Sequence, residues 1–259
     1  MFSKRAIQLA FFFLILNVIS IPGSFASTAS KDSIPSSNEL KFKPQALILP
    51  SLLIGYGIVG IESDFVKNIN GELKEELNEN IDQQVTIDNF SQYMPMASVY
   101  ALNAMGIKGK HNFKDRTVIL TTAYLIMGVT VTTTKNTSRI MRPDGSSKNS
   151  FPSGHTATAF MGAEFLYQEY KDQSIWYGVA GYTVAAATGF YRMYNDRHWL
   201  TDVAAGAGIG ILSTKIAYWV QPLLVSKNKP GKANKNLSVE SFIPYSNGRQ
   251  TGICMLVRF

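Results

Sequence analysis

The sequence predicts an all-α protein: a bundle of about six apolar helices, with one added amphipathic helix and a C-terminal β-hairpin. Three observations support this fold class. Apolar runs of helical length recur between residues 46 and 225. Within Phe65–Ile81, leucine and isoleucine repeat at the spacing of one helix face. Two strand-like runs flank Asn247-Gly248, a dipeptide that favours a tight turn between antiparallel strands.

The N-terminal residues have the pattern of an export signal followed by a leader. Lys4 and Arg5 precede an apolar run, and Ser24-Phe25-Ala26 places small residues at the spacing that signal peptidases recognise. We therefore expect a signal peptide over residues 1–26, cleaved after Ala26, with an uncleaved membrane anchor as the alternative. Residues 27–44 are rich in Ser, Lys and Pro, which predicts a flexible leader.

The helical domain is predicted to cover residues 45–226. A helix that crosses a bilayer needs roughly 20 apolar residues. Most of the apolar segments are shorter, so the sequence is consistent with short membrane spans and also with the buried helices of a soluble bundle. Gly206–Gly210 has small residues at a spacing that lets helices approach closely. The six segments are Ala46–Ile61, Tyr93–Met105, Thr117–Thr134, Thr156–Tyr167, Ile175–Tyr191 and Asp202–Val225.

Residues 227–259 are predicted as a basic linker followed by the hairpin, which we expect to pack on the bundle. The net charge of the chain is +7, with lysine-rich clusters around residues 108–116 and 227–235. Such clusters are typical of solvated loops, or of loops near an anionic membrane surface. No known nucleic-acid module accompanies the charge, so a nucleic-acid partner is not expected. Cys254 is the single cysteine, which excludes an intrachain disulfide.

A basic segment that ends at Pro143 holds the first candidate site residues. Lys135 and Arg142 are seven residues apart, so on a continuous helix they would share a face two turns apart, and Pro143 would end that helix. Arginine offers a planar fork of donors and lysine a point charge, a combination that suits phosphate oxygens. A basic loop next to a membrane is the alternative for this segment taken alone.

The segment Pro152-Ser153-Gly154-His155 lies directly before an apolar helix. A helix N-terminus offers free backbone N–H groups and the positive end of the helix dipole, both of which favour anions. Gly154 lets a ligand approach the backbone, Ser153 adds a hydroxyl donor, and His155 could protonate a leaving oxygen. A capped helix start with an incidental histidine is the alternative.

The third segment runs from Arg192 to Asp202. His198 and Asp202 are four residues apart, so on a helix they are neighbours. The carboxylate could orient the imidazole ring and leave its other nitrogen free to attack, which is the arrangement of an activated nucleophile. Arg192 could reach the same pocket. The alternative is a surface pair that contributes about 0.3–0.5 kcal/mol.

Together, Lys-x6-Arg-Pro, Pro-Ser-Gly-His and Arg-x5-His-x3-Asp resemble the motifs of the type 2 phosphatidic acid phosphatase family. The resemblance covers about residues 46–225. It implies the helical bundle that this family shares with class A acid phosphatases and vanadium haloperoxidases. One position departs from the pattern: Tyr191 stands where the family usually has Ser, so we expect altered surroundings for Arg192 and the same reaction class.

The resemblance also implies a role for each matching position. His198 would attack phosphorus and form a phosphohistidine, Asp202 would orient it, and His155 would protonate the leaving oxygen and then activate water. No cofactor and no metal are implied. The phosphate oxygens would be held by Lys135, Arg142, Ser153, Gly154 and Arg192. His111 matches no motif, and its basic loop predicts a solvated residue without a catalytic role.

The implied function is a metal-independent phosphatase that acts on a phosphorylated lipid of the bacterial envelope. Lipid A, undecaprenyl diphosphate, phosphatidylglycerol phosphate and phosphatidic acid are the candidate substrates, with lipid A favoured. A soluble periplasmic acid phosphatase of broad specificity is the alternative, and a vanadium haloperoxidase a remote one.

We expect an exported active site, either on a membrane protein or in the periplasm. Basic clusters at residues 107–116, at residues 170–174 and after Val225 fit cytoplasmic loops. Six full spans after a cleaved signal would place the motifs inside. Either one segment, with Ala46–Ile61 as the candidate, does not cross, or the bundle does not cross the membrane as a set of spans.

Overall fold

The computed structural model describes residues 44–79, 86–225, 238–246 and 251–258. The predicted signal peptide, the leader up to residue 43, the linker residues 226–237 and the Asn247-Gly248 turn lie outside the described residues, and the predictions for them stand as predictions.

The described residues form eight α-helices, which confirms the all-α prediction. A short 3-10 turn at Pro44–Leu47 leads into the first of them. The six predicted apolar segments correspond to α1, α4, α5, α6, α7 and α8, and the predicted amphipathic helix is α2. The short α3 was not predicted. The helices are α1 (Ile48–Glu62), α2 (Asp64–Asn78), α3 (Asp88–Ser91), α4 (Met94–Ala104), α5 (Phe113–Ser138), α6 (Gly154–Tyr170), α7 (Ile175–Tyr194) and α8 (Leu200–Leu224).

The centre of the bundle is α6, which packs against α7 and α8. Most of its side chains are buried, including Met161 and Phe165. The contact with α8 is backbone to backbone: a Cβ atom added at Gly206 would lie 2.5 Å from the carbonyl oxygen of Ser153. One added at Gly210 would collide with the Ala157 carbonyl. The small residues of α8 therefore allow the close approach that their spacing predicts.

The end of α5 differs from the sequence prediction. The helix ends at Ser138, and Arg139 takes a left-handed conformation with φ 50°. The chain then folds back, so that the Ser150 N–H donates to the Ile140 carbonyl oxygen at 3.0 Å. The prediction that a helix continues to Pro143 is therefore wrong, and Arg142 lies in a loop instead of sharing a helix face with Lys135.

Three helical stretches among the described residues are long and apolar enough to cross a membrane: Pro44–Glu62, Phe113–Ser138 and Leu200–Leu224. The share of the apolar stretch that is buried is 17% in the first, 22% in the second and 61% in the third. The first two therefore leave wide apolar faces uncovered, as helices in contact with lipid do, whereas α8 lies inside the bundle.

The predicted hairpin is present as two antiparallel strands, β1 (Ser238–Ser246) and β2 (Thr251–Arg258). Ser246 pairs with Thr251, so the predicted turn lies between the two strands. The register is irregular between Val239 and Ser241. Packing of the hairpin on the bundle remains a prediction.

Candidate active site

Several helix ends meet at one end of the bundle and bring the three predicted segments together. α5 and α7 end there, and α6 and α8 begin there. A direct link fastens the second segment to the third: the Ser153 N–H donates to the backbone carbonyl of Asp202 at 3.0 Å. Sequence positions 153 and 202, about 50 residues apart, therefore converge on one site.

His198 is buried beside Asp202. Its Nδ1 lies 3.4 Å from Asp202 Oδ2, so the predicted contact is present, although His198 precedes α8 instead of lying on it. The same carboxylate oxygen accepts a short hydrogen bond from the Ser150 hydroxyl and one from the Trp199 N–H at 2.9 Å. These bonds fix the carboxylate, so it can in turn fix the ring.

The histidine at this position is neutral at physiological pH. Burial, together with the charges of Lys135 and Arg192, lowers the pKa of His198 to about 4, although Asp202 opposes this shift. An imidazole with one unprotonated nitrogen is a nucleophile, whereas an imidazolium is not. With Nδ1 turned toward Asp202, Nε2 is the nitrogen left to attack.

Three cations lie around the His198–Asp202 pair. The Lys135 ammonium donates to the Asn149 carbonyl at 2.5 Å and to the Ser150 carbonyl at 3.3 Å. Arg142 and Arg192 each bury an Nε–H group that has no acceptor among the described residues. Burial, and then the charge of Arg192, lower the pKa of Arg142, so the two cations act on each other electrostatically. An anion bound by both residues would accept hydrogen bonds from both guanidinium groups.

The start of α6 supplies the second predicted segment. The buried Ser153 hydroxyl caps the helix by accepting from the Thr156 N–H, and it also accepts from the Thr156 hydroxyl at 2.8 Å. Both bonds use the oxygen as an acceptor, so its own proton remains available to a ligand. A Cβ atom added at Gly154 would meet only Val131, at 3.8 Å, so the first turn is sterically open on that side.

His155 is half-buried and faces the same cations. Its Nε2 lies 3.1 Å from Asn89 Oδ1, an acceptor that favours a protonated Nε2. Burial and the charge of Arg192 lower the pKa of His155 to about 4, and Asp88 opposes this. A bound phosphate would add negative charge beside the ring and favour its protonated form.

The structure adds residues that the motifs did not identify. Asp88 is buried and binds Arg192 through Oδ2 and Nη1 at 2.6 Å, and Asn195 donates to its other oxygen at 3.3 Å. Asn89 holds His155, and Ser150 holds Asp202. Asp88 lies 104 residues before Arg192 and Asn89 66 residues before His155, with no spacing that points to them. Ser150 directly precedes the second motif, and that proximity is the one signal that could have identified it.

The loop that carries Arg142 is held by its neighbours. Lys74 of α2 donates to the Pro143 carbonyl at 2.7 Å, and the Trp199 ring N–H donates to the Met141 carbonyl at 2.9 Å. Arg197 pairs with Asp144 at 3.0 Å. These contacts place Arg142 beside the site although it lies outside a helix.

His111 differs from its predicted state. Its side chain is 19% exposed, and its Nδ1 lies 2.7 Å from Glu169 Oε1. The expectation of a solvated residue is therefore wrong, because Glu169 at the end of α6 pulls the ring into the bundle. The pair lies at the end of α6 away from the motifs.

Across residues 44–79 and 86–225, no group of three or more His, Cys, Asp or Glu side chains is arranged to hold a metal ion. The predicted metal independence is left to the experiment described below.

A buried histidine beside a carboxylate, a second histidine at a helix start and three cations lie together at one end of the helical bundle. Residues 116–225 match the PAP2 superfamily model, which confirms the predicted resemblance.

Two proteins of known sequence are similar to parts of the chain. Lipid A 1-phosphatase of Porphyromonas gingivalis is 42% identical over 139 residues, which cover 53% of this chain and 31% of that protein. The chain thus spans about a third of that relative. Bacitracin transport permease protein BcrC of Bacillus licheniformis is 37% identical over 76 residues, 29% of this chain and 36% of that protein.

Two solved structures are also similar. A transmembrane PAP2-type phosphatidylglycerolphosphate phosphatase from Bacillus subtilis has a TM-score of 0.50 at 18% identity, covering 69% of this chain and 98% of that one. It shows the same fold. Aquifex aeolicus LpxE has a TM-score of 0.45 at 25% identity, covering 58% of this chain and 94% of that one.

Proposed function

We propose that the chain is a metal-independent phosphatase that removes a phosphate from an envelope lipid through a phosphohistidine at His198. One observation carries the proposal. A buried neutral histidine, oriented by Asp202, lies among three cations, two of which have buried Nε–H groups without acceptors. A neutral nucleophile among positively charged side chains suits attack on a phosphate, because the cations stabilise charge on the equatorial oxygens.

In the first step, His198 attacks phosphorus through Nε2, and the bond from phosphorus to the leaving oxygen breaks. The leaving oxygen takes a proton from His155. The attacking ring becomes positively charged, and the adjacent Asp202 carboxylate compensates that charge through Nδ1–H. Lys135, Arg142 and Arg192 hold the phosphoryl oxygens.

In the second step, His155, now neutral, takes a proton from water as that water attacks phosphorus. The N–P bond breaks, inorganic phosphate forms, and His198 returns to its neutral state. The sequence of steps needs no redox partner, and each histidine ends in the protonation state in which it began.

A lipid substrate is favoured by the helices that carry the site. The apolar stretch of α5, which ends beside Lys135, is 22% buried and suits a bilayer. A membrane-embedded site meets lipid-borne phosphates directly. Among the candidate lipids, the similarity to the P. gingivalis protein favours lipid A, with its 1-phosphate as the group removed.

The site is proposed to face the periplasm. The loop before α5 and the loop after α6 meet at the other end of the bundle, where Gln173 donates to the Lys108 carbonyl and the Lys110 N–H donates to the Glu169 carbonyl. Both loops are lysine-containing, and lysine-rich loops favour the cytoplasmic side. The catalytic end then lies outside.

The substrate is tested with the purified full chain in detergent micelles. Lipid A is incubated with the wild-type chain and with His198→Ala, and mass spectrometry with fragmentation locates the lost phosphate. Loss of the 1-phosphate with the wild-type chain alone is expected. If lipid A keeps both phosphates while a soluble phosphate ester is hydrolysed quickly, the broad-specificity acid phosphatase replaces this proposal.

Metal independence is tested with two inhibitors. Vanadate should compete with substrate, because it mimics the phosphate in the cationic cradle, and EDTA should leave the rate unchanged. Strong inhibition by EDTA that added divalent ions reverse would overturn the metal-free mechanism.

A further inference from the structure

Residues 86–94 form a segment whose burial pattern is inverted. Polar side chains point into the bundle and large apolar ones point away from it. Phe90 is the extreme case, with 76% of its surface exposed. The exposed apolar side chains are Ile87, Phe90, Tyr93 and Met94. The buried polar ones are Asp88, Ser91 and Gln92. A segment facing water normally shows the opposite arrangement, so this one suits an apolar surrounding.

The inward side of the segment contacts the active site. Asp88 holds Arg192 at 2.6 Å, and the adjacent Asn89 accepts from His155 Nε2 at 3.1 Å. One turn further on, Ser91 shares a hydrogen bond of 2.7 Å with Thr188 of α7. Two neighbouring residues thus contact the predicted acid and a phosphate-binding cation, and a shift of the segment would move both.

The outward side continues into the surface of a candidate membrane helix. Tyr93 interacts with the Tyr124 hydroxyl on α5. Leu125 and Val129, further along α5, are each about two-thirds exposed. Tyr124 lies 11 residues before Lys135, or roughly 16 Å along the helix axis. The apolar side of the segment therefore extends from the level of the site toward the lipid-facing part of α5.

Building on the phosphatase function proposed above, we propose that residues 86–94 insert into the lipid surface and thereby bring His155 and Arg192 to the level of a lipid-borne phosphate. The partner is the bilayer itself, because the patch is apolar and continues the apolar face of α5. Asn89 and Asp88 are positioning residues in this arrangement: they touch the groups that act on the phosphate.

Insertion is measured without reference to activity. A nitroxide is attached to Phe90→Cys in a full chain that also carries Cys254→Ser, reconstituted in vesicles of phosphatidylcholine and phosphatidylglycerol. The nitroxide should collide frequently with oxygen, which dissolves in the bilayer, and rarely with a nickel chelate, which stays in water. A label at Ser146→Cys, in an exposed loop, should give the reverse. Free access of the chelate to position 90 overturns the proposal. Shielding from both reagents also overturns it, because another part of the chain or a second copy then covers the patch.

The consequence for catalysis is measured with two substrates. The double variant Ile87→Ser/Phe90→Ser is compared with Trp176→Ser, which removes an equally exposed aromatic side chain at the far end of α7. For a lipid phosphate in vesicles, kcat/KM should fall about tenfold in the double variant, given the apolar surface removed. For a soluble short-chain phosphate ester it should be unchanged, and Trp176→Ser should alter neither.

Equal losses on both substrates, or none on vesicles, would overturn the role of the segment. Failure of the phosphatase proposal is a separate result, because the wild-type chain would then hydrolyse neither substrate while the spin-label pattern could still hold.

Discussion

Two histidine–carboxylate pairs lie at opposite ends of α6, and they have similar parts. Near its beginning, His198 faces Asp202, whose carboxylate also accepts from the Ser150 hydroxyl. At its end, His111 faces Glu169, whose carboxylate also accepts from the Tyr218 hydroxyl at 2.7 Å. A histidine, a buried acid and a hydroxyl therefore do not by themselves distinguish a site of chemistry from a structural contact.

The difference lies in the cations. At the His198 end, Lys135, Arg142 and Arg192 lie near one histidine–carboxylate pair, and burial together with the charges of Lys135 and Arg192 lowers the pKa of the histidine. At the other end, Arg116 directs its terminal nitrogens to the backbone carbonyls of Val99 and His111, and its buried Nε–H has no acceptor among the described residues. In the proposed function, the positive charge around His198 binds the phosphate, whereas the His111–Glu169 pair fastens a loop to the bundle.

Replacing each of these two histidines with alanine gives the largest expected difference in activity between the two ends of α6. His198→Ala should reduce phosphate release by about 10⁴-fold or more, because the nucleophile is lost. His111→Ala should keep at least half of the wild-type activity. Its Tm should fall, because Glu169 loses a partner while it stays buried. Activity is measured as phosphate release in micelles, and Tm in the same micelles. Turnover by His198→Ala above a few per cent would exclude this histidine as the nucleophile.

The carboxylates give the next contrast. Asp202→Asn should lower kcat about 10²- to 10³-fold, since the ring loses both its orientation and the charge that balances the phosphohistidine. Glu169→Gln should leave kcat unchanged and destabilise the fold by about 1–3 kcal/mol. If the two variants lose activity equally, the charge at Asp202 has no special role and the proposed division between the two ends fails.

The sequence predicted the helices well because their apolar runs are long and their ends carry turn and cap residues. Gly206 and Gly210 predicted close packing in the same way. The path after α5 was missed, because no residue type between Ser138 and Pro143 forces the left-handed turn at Arg139. That turn is stabilised by a contact with Ser150, a residue some ten positions further on, which local periodicity does not report.

Part of the site was also predictable. The motif residues around His198 and His155 could be identified because phosphate chemistry needs those residue types next to helix ends. Asp88 could not, since its partners Arg192 and Asn195 lie more than 100 residues later in the chain. His111 was assigned to solvent for the same reason: its partner Glu169 lies 58 residues away.

Replacing Asp88 should have a smaller effect at the catalytic end, and it should act differently on turnover and on vanadate binding. Asp88→Asn removes the charge that holds Arg192, so kcat should fall about tenfold through misplacement of the guanidinium. Vanadate should bind as tightly as before or more tightly, because the site gains net positive charge. Asp64→Asn, which breaks the exposed pair with Lys67 on α2, should change either value less than twofold. Parallel weakening of turnover and of vanadate binding would point to a general structural defect instead.

The smallest effect is a titration that compares the two ends directly. The chain has three histidines, so ¹⁵N-histidine spectra of the wild type and of single variants assign each ring. The pKa of His198 and that of His155 should both lie near 4, because burial and adjacent cations disfavour the imidazolium. Lys135→Met should raise both, and added vanadate should raise that of His155.

The same shifts set the pH dependence of stability. In the unfolded chain, His155 and His198 take up protons near the ordinary histidine pKa of about 6.5. Unfolding therefore binds protons between pH 6.5 and 4, and Tm should fall as the pH drops through that window. Replacing His198 with Ala should flatten this fall, since one of the two groups no longer contributes. A His198 ring that titrates near 6.5 would mean that the cations do not act on it, and the distinction between the two ends of α6 would lose its electrostatic basis.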